Sequence, residues 1–205
     1  MSQFAFFTDG LEVDLLEGFS TEQRRLAAVR AINKIARDAR AQAAKMIRNE
    51  VNLPARYVSP SEGRLAVTKQ ANGSNLEARI TARGRATSLA QFVTGSAKPN
   101  VQGVHIKVAP GKARFLRRAF LIRLPQGNSP VTDTKFNLGL AVRLKPGDTL
   151  RNKITARRVE KGLYLLYGPS VSQVFRANDG DGIANEMTPG LEAKLRDEFL
   201  RLLRL

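Results

Sequence analysis

The chain has no cysteine, no tryptophan and a single histidine in 205 residues. Without thiols there is no disulfide framework and no thiolate nucleophile, which fits assembly in a reducing cytoplasm. One histidine, His105, leaves no His pair and no His–Cys set to bind a metal or to act as a partnered general base. It alternates with Val104, Ile106 and Val108, the pattern of a strand whose polar residues face outward. Aromatics make up only 6% of the chain, so its core must rest on Leu, Ile, Val and Ala. No apolar run approaches the ~20 residues of a membrane span. The N-terminus opens with Phe4, Phe6 and Phe7 and then acids, unlike the basic start and apolar middle of a signal peptide.

Other familiar sites are incomplete. Ser170 lies in Gly-Pro-Ser rather than in the Gly-x-Ser-x-Gly turn of a serine nucleophile. Gly84 between Arg83 and Arg85 is followed by no Gly-Lys-Ser/Thr, so no phosphate loop forms there. Asn178-Asp179-Gly180-Asp181-Gly182 starts like a calcium loop but lacks the later ligands and the closing Glu, so a flexible acidic turn is expected. The expectation is a protein that is no enzyme, with no cofactor, metal or small-molecule substrate.

Charge is what the chain has in excess. Lys and Arg total 34 against 18 Asp and Glu, a net charge of +16. Such a balance favours polyanions or acidic protein surfaces. The distribution is uneven. Residues 1–19 hold Asp9, Glu12, Asp14 and Glu17 and no base, while residues 51–128 are strongly basic with only Glu62 and Glu77 as acids. An acidic, aromatic arm (1–19) therefore precedes a single basic domain (20–205). The arm either packs on a neighbouring copy or folds back on its own body.

Ser20 with Gln23 fits a capping box, and no Gly or Pro follows before Pro54. Leu26, Val29, Ile32, Ile35, Ala36, Ala39, Ala43, Met46 and Ile47 recur at helical spacing, which predicts one long helix to about Asn49. Opposite them lie Arg30, Lys34, Arg37, Lys45 and Arg48. That row is either a solvated helix face or a surface for DNA or an acidic partner.

Alternation predicts strands over Leu76–Ala82, Val104–Val108, Phe120–Ile122, Leu138–Val142 and Leu163–Tyr167. Lys112-Ala113-Arg114-Phe115-Leu116-Arg117-Arg118 reads as a basic loop. Either Phe115 and Leu116 pack on the core, or Lys112, Arg114, Arg117 and Arg118 meet DNA phosphates or an acidic subunit. Thr188-Pro189 looks like the start of a terminal helix carrying Leu191, Leu195, Phe199, Leu202 and Leu205. The fold class is α+β: a long N-terminal helix, a mostly antiparallel sheet and a C-terminal helix.

The run Tyr167-Gly168-Pro169-Ser170-Val171-Ser172-Gln173-Val174-Phe175 joins the last strand to a short helix. Gly168 offers backbone freedom, Pro169 suits a first helical position and Ser170 offers a hydroxyl to free N–H groups. With this run, three other stretches resemble the minor tail protein Z family of long-tailed phages. They are the Ala/Arg-rich helix Arg24–Glu50, Ser88-Leu89-Ala90-Gln91-Phe92, and the unit from Gly103 through Arg114 to Ala119-Phe120-Leu121-Ile122. The resemblance starts near residue 20 and omits Gln126–Phe136.

The resemblance implies a structural tail-completion or neck protein of the virion, assembled in the host cytoplasm, that helps join the tail to a DNA-filled head. Leu89, Phe92, Gly168, Pro169, Ser170, Val171 and Phe175 would be its structural motif residues. Building around one tail axis calls for closed symmetry. The expected partners are further copies in a ring, taken as a hexamer, with other tail or neck proteins and viral DNA in the channel. Phe4, Phe6 and Phe7 would clip onto an adjacent copy. The alternative is a basic nucleic-acid-binding protein without catalysis.

Overall fold

In the computed structural model of the protein, residues 2–5, 18–95, 98, 101–124, 137–150, 156–176 and 182–204 are described. Along the chain run β1 (Ser2–Ala5), α1 (Thr21–Glu50), β2 (Leu65–Lys69), β3 (Arg79–Ala82), β4 (Thr87–Ser88), β5 (Val93–Thr94), β6 (Val104–Ala109) and β7 (Lys112–Leu116). Then follow β8 (Ala119–Leu124), β9 (Asn137–Arg143), β10 (Ala156–Glu160), β11 (Leu163–Gly168), α2 (Val171–Phe175) and α3 (Ile183–Leu203). Among the described residues, every pairing between these strands is antiparallel. The α+β class with helices at both ends holds.

Two compact units form. The first comprises Met1–Ile47, Val58–Gly84 and Val171–Leu205; the second comprises Arg48–Tyr57 and Arg85–Ser170.

In the first unit, Ser20 caps α1 as its sequence predicts. Gln23 N–H donates to Ser20 Oγ at 3.2 Å, and Ser20 N–H donates to Gln23 Oε1 at 2.9 Å. Ala27, Ala28 and Ala31 of α1 pack on Phe199 and Leu203 of α3, while Ile32 and Ala36 pack on Ala71 and Ala78. The small alanines let neighbouring elements approach the helix closely. Leu26, placed on the apolar stripe by its spacing, instead stands 47% exposed at the helix's first turns.

β3 lies between β1 and β2, with Ile80 opposite both Phe4 and Val67. The start of the arm therefore pairs, through β1, with the chain's own β3. Phe6 and Phe7 lie outside the described residues. The Asn33 side chain ties down the turn after β2, donating to Ala71 O at 2.9 Å and accepting from Ala71 N–H at 2.8 Å. α2 is pinned to β3's end by Ser172 N–H donating to Arg83 O at 3.1 Å.

The terminal helix corrects the sequence reading. Thr188-Pro189 does not start α3; the helix begins at Ile183 with Gly182 as its N-cap, and Pro189 lies inside it. The reason is packing: Ile183, Ala184 and Met187 are buried at the same spacing as Leu191 and Phe199. That gain outweighs the N–H that Pro189 cannot give four residues back. Thr188 turns its hydroxyl inward, donating to Ala184 O at 2.9 Å. α2 ends at Phe175, and Gly182 opens α3. Asn178 to Asp181 and Leu205 lie among residues not described.

In the second unit, β10-β11-β9-β8 form one sheet, with β4 added to the end of β11, and β5-β6-β7 form another. Alternation along β8 and β9 sends side chains to two faces. Leu121 and Leu140 join Val104, Ile106 and Ala119 in one cluster, while Ala141 joins Leu163 and Leu165 in another. Lys112–Leu116, read as a loop, is a full strand paired with β6. The end of α1 is fixed to this sheet by Asn52, whose N–H donates to Val108 O at 2.8 Å and whose Nδ2 donates to Lys107 O at 3.1 Å.

Candidate interaction surfaces

The cationic row on α1 follows directly from helical spacing, and Arg30, Lys34, Arg37, Lys45 and Arg48 are all exposed. Four of them, Arg30, Arg37, Lys45 and Arg48, form no ion pair among the described residues. Lys34 differs. Its Nζ sits 2.8 Å from Glu198 Oε2, and Arg201 grips the same carboxylate with two contacts at 2.6 and 3.0 Å.

Glu198 is 7% exposed, so its charge is held by these two cations rather than by solvent. The Arg201 hydrogen bonds first, then that of Lys34, pull its carboxyl from the ordinary 4.5 down to about 2. A carboxyl depressed on folding stabilises above its unfolded pKa and loses that contribution as protons bind it. The first unit should therefore lose stability as pH falls from 4.5 towards 2. Glu198→Gln should be less stable than wild type at pH 7 and should lose less across that window. Urea unfolding of α1 followed by circular dichroism at pH 7 and pH 3 checks this. Parallel losses in both proteins would show that Glu198 does not carry the acid response.

Around this knot lies an open cleft of about 280 Å³, lined by Lys34, Asp38, Lys194, Asp197, Glu198 and Arg201. Both signs alternate there, so the part of α1 near Lys34 is charge-balanced by α3. The acid that pairs with Lys34 stands 164 residues away and is brought in by the fold.

The second basic cluster also divides. Lys112, Arg114 and Arg117 are exposed and form no ion pair among the described residues. Arg118 is engaged: it donates to Asp148 Oδ2 at 2.6 Å and to Arg143 O at 3.3 Å. Asp148 also accepts from Lys145 N–H at 3.0 Å. The Arg118 bond first, then that backbone bond, holds the Asp148 carboxyl below the usual range. Phe115 does not pack into the core. It is 54% exposed, with its ring 4.6 Å from that of His105 on the neighbouring strand and against Gly103.

Within the second unit, the motif stretches around Leu89 and Gly168 meet. Tyr167 and Gly168 of β11 pair with Ser88 and Thr87, so two stretches far apart in sequence meet. Gly168 takes no left-handed φ, contrary to the freedom expected of it. Its role is space: a Cβ there would lie 3.1 Å from both Leu89 Cδ2 and Phe92 Cε2. Phe92, Ser170, Val171 and Phe175 are each no more than 2% exposed, and Pro169 is half-buried. Pro169 and Ser170 lie between β11 and α2, which begins at Val171.

Two further residues matter that sequence reasoning missed. Arg40 is a buried cation on the apolar side of α1. Its Nε donates to Leu65 O at 2.9 Å and its Nη2 to Val58 O, and burial lowers its pKa. The signal was available, since position 40 follows Ala36 by one helical turn on the stripe. The other is Glu198, which falls between Leu195 and Leu202 on the apolar side of α3.

Among the described residues, no group of three or more His, Cys, Asp and Glu could hold a metal ion, and no helix is long and apolar enough to cross a membrane. No curated protein and no solved structure matches the chain. The family model described as prophage minor tail protein Z (GPZ) matches residues 10–205. That match takes in the end of the N-terminal arm and the Gln126–Phe136 stretch, both outside the resemblance read from motifs. The chain belongs to the prophage minor tail protein Z family, whose members are structural proteins of the phage tail.

Proposed function

We propose that this virion protein sits at the head-proximal end of the tail. There it completes the tail, as a closed ring of copies around the tail axis, so that the tail joins a DNA-filled head. A hexamer is the form we favour, with neighbouring neck and tail proteins as its other partners and assembly in the host cytoplasm. The observation that carries the reading is four exposed cations on α1, Arg30, Arg37, Lys45 and Arg48, that form no ion pair among the described residues, in a chain whose family builds tails. Exposed cations that no carboxylate pairs suit a polyanion or an acidic subunit. The buried motif residues supply a rigid support and no catalysis.

The triple substitution Arg30→Glu, Arg37→Glu and Lys45→Glu tests it. Lys34 is left in place because a carboxylate there would face Glu198. The variant should keep the wild-type helical signal, since all three side chains are exposed and unpaired. It should yield particles without infectivity; full infectivity would reduce the row to solvated surface. A labelled chain should appear at the head-proximal end of isolated tails in electron micrographs, and label at the opposite tip would overturn the placement.

The same row supports a second reading, nucleic-acid binding. DNA affinity built on phosphate contacts falls steeply with salt, whereas a protein contact with an apolar part largely survives.

A further inference from the structure

β7 is the outer strand of its sheet, and its second edge is unpaired among the described residues. Lys112, Ala113, Arg114 and Phe115 are all exposed, so both faces of the strand lack cover as well. An open edge presents backbone N–H and C=O groups to an incoming strand. Along β7, Lys112 and Arg114 point to one face and Ala113 and Phe115 to the other. Cations on an edge repel most strands, but they suit one that carries acids at the same period.

The chain contains such a segment. Leu11-Glu12-Val13-Asp14-Leu15 alternates apolar and acidic residues with period two. We propose that this segment of a second copy adds to the open edge of β7 as an antiparallel strand. One register satisfies every position: Asp14 beside Lys112, Glu12 beside Arg114, Val13 beside Ala113 and Leu11 beside Phe115. Slipping it by one residue would set acids against Ala113 and Phe115. The contact joins two different surfaces of identical chains, so repeating it builds a ring where the rotation closes. It rests on the ring reading above and names the contact that makes the ring.

A charge swap tests it on the full chain, nuclease-treated, with mass read by light scattering after gel filtration. Wild type should run well above the 22.6 kDa of one chain. E12K/D14K alone and K112E/R114E alone should each fall to single-chain mass, because each sets like charges together. An equimolar mixture should regain the wild-type mass, since each variant then offers the other an opposite charge. Should K112E/R114E lose its circular dichroism, Lys112→Gln with Arg114→Gln replaces it, with association weakened about tenfold.

Either variant assembling normally, or a mixture that stays at single-chain mass, overturns the proposal. So does a wild-type chain that remains single at about 1 mM, the effective concentration scale of tethered neighbours. Wild-type mass lost on nuclease treatment assigns β7 to nucleic acid instead. Failure of the swap with the protein present in purified tails removes this contact and leaves the tail reading intact. A working swap with the protein absent from tails does the reverse.

Discussion

Phe92→Ala is expected to destabilise the second unit by about 3–5 kcal/mol, the usual cost of emptying a buried aromatic site. Phe92 is 1% exposed, and its short helical turn packs on β6, β9 and β11. The ring also lies against Gly168, where a Cβ would approach to 3.1 Å. The two positions should therefore couple. Gly168→Ala alone crowds Leu89 and Phe92 and should cost about 1 kcal/mol. In the Phe92→Ala background the same change has room and should cost little or even recover stability, a departure from additivity expected of neighbours in contact. Tyr57, Tyr164 and Tyr167 are the chain's three tyrosines, and all fall in the second unit. Urea unfolding read by tyrosine emission therefore reports the unit in question. Strict additivity would mean that Gly168 is not kept small by Phe92.

Arg40→Met should cost the first unit about 2–4 kcal/mol. Methionine keeps most of the volume but gives no hydrogen to Val58 O or Leu65 O, which Arg40 now satisfies. Buried acceptors left without donors cost about 1–3 kcal/mol each, partly relieved where water enters. Among the described residues no carboxylate pairs with Arg40, so the two carbonyls are what repay its burial. Arg40→Lys should fall between, since an ammonium lacks the fork that spans two acceptors. Urea midpoints followed by helical circular dichroism give the comparison. A Met variant within about 0.5 kcal/mol of wild type, the range of an ordinary surface change, would show that the guanidinium adds nothing.

The parts of the fold that could be read from sequence are those whose pattern is local. Ser20 and Gln23 announced the start of α1, and alternation placed β6, β8, β9 and β11. Strands without apolar alternation escaped. β7 is exposed on both faces and β10 from Arg157 to Glu160, so neither carries the period of a half-buried strand. Pro189 looked like a helix start because local preference favours it there, and tertiary packing of Ile183 and Met187 overrode that preference. For the candidate surfaces, exposure of the α1 cations followed from spacing alone. Their state did not: which cation is engaged depends on Glu198 and Asp148, whose positions only the fold decides.

The first unit is assembled from three separated stretches of chain, and α3 supplies Phe199 and Leu203 to the alanine face of α1. During synthesis α1 leaves the ribosome early, whereas these partners follow every strand. The Ala27, Ala28 and Ala31 part of its apolar stripe must therefore wait, uncovered, while the second unit can already close from residues made before Val171. Each nascent chain passes through a stage with one finished half and one sticky helix. That is the stage at which a chaperone would engage it, and at which a truncated product would aggregate rather than enter a tail.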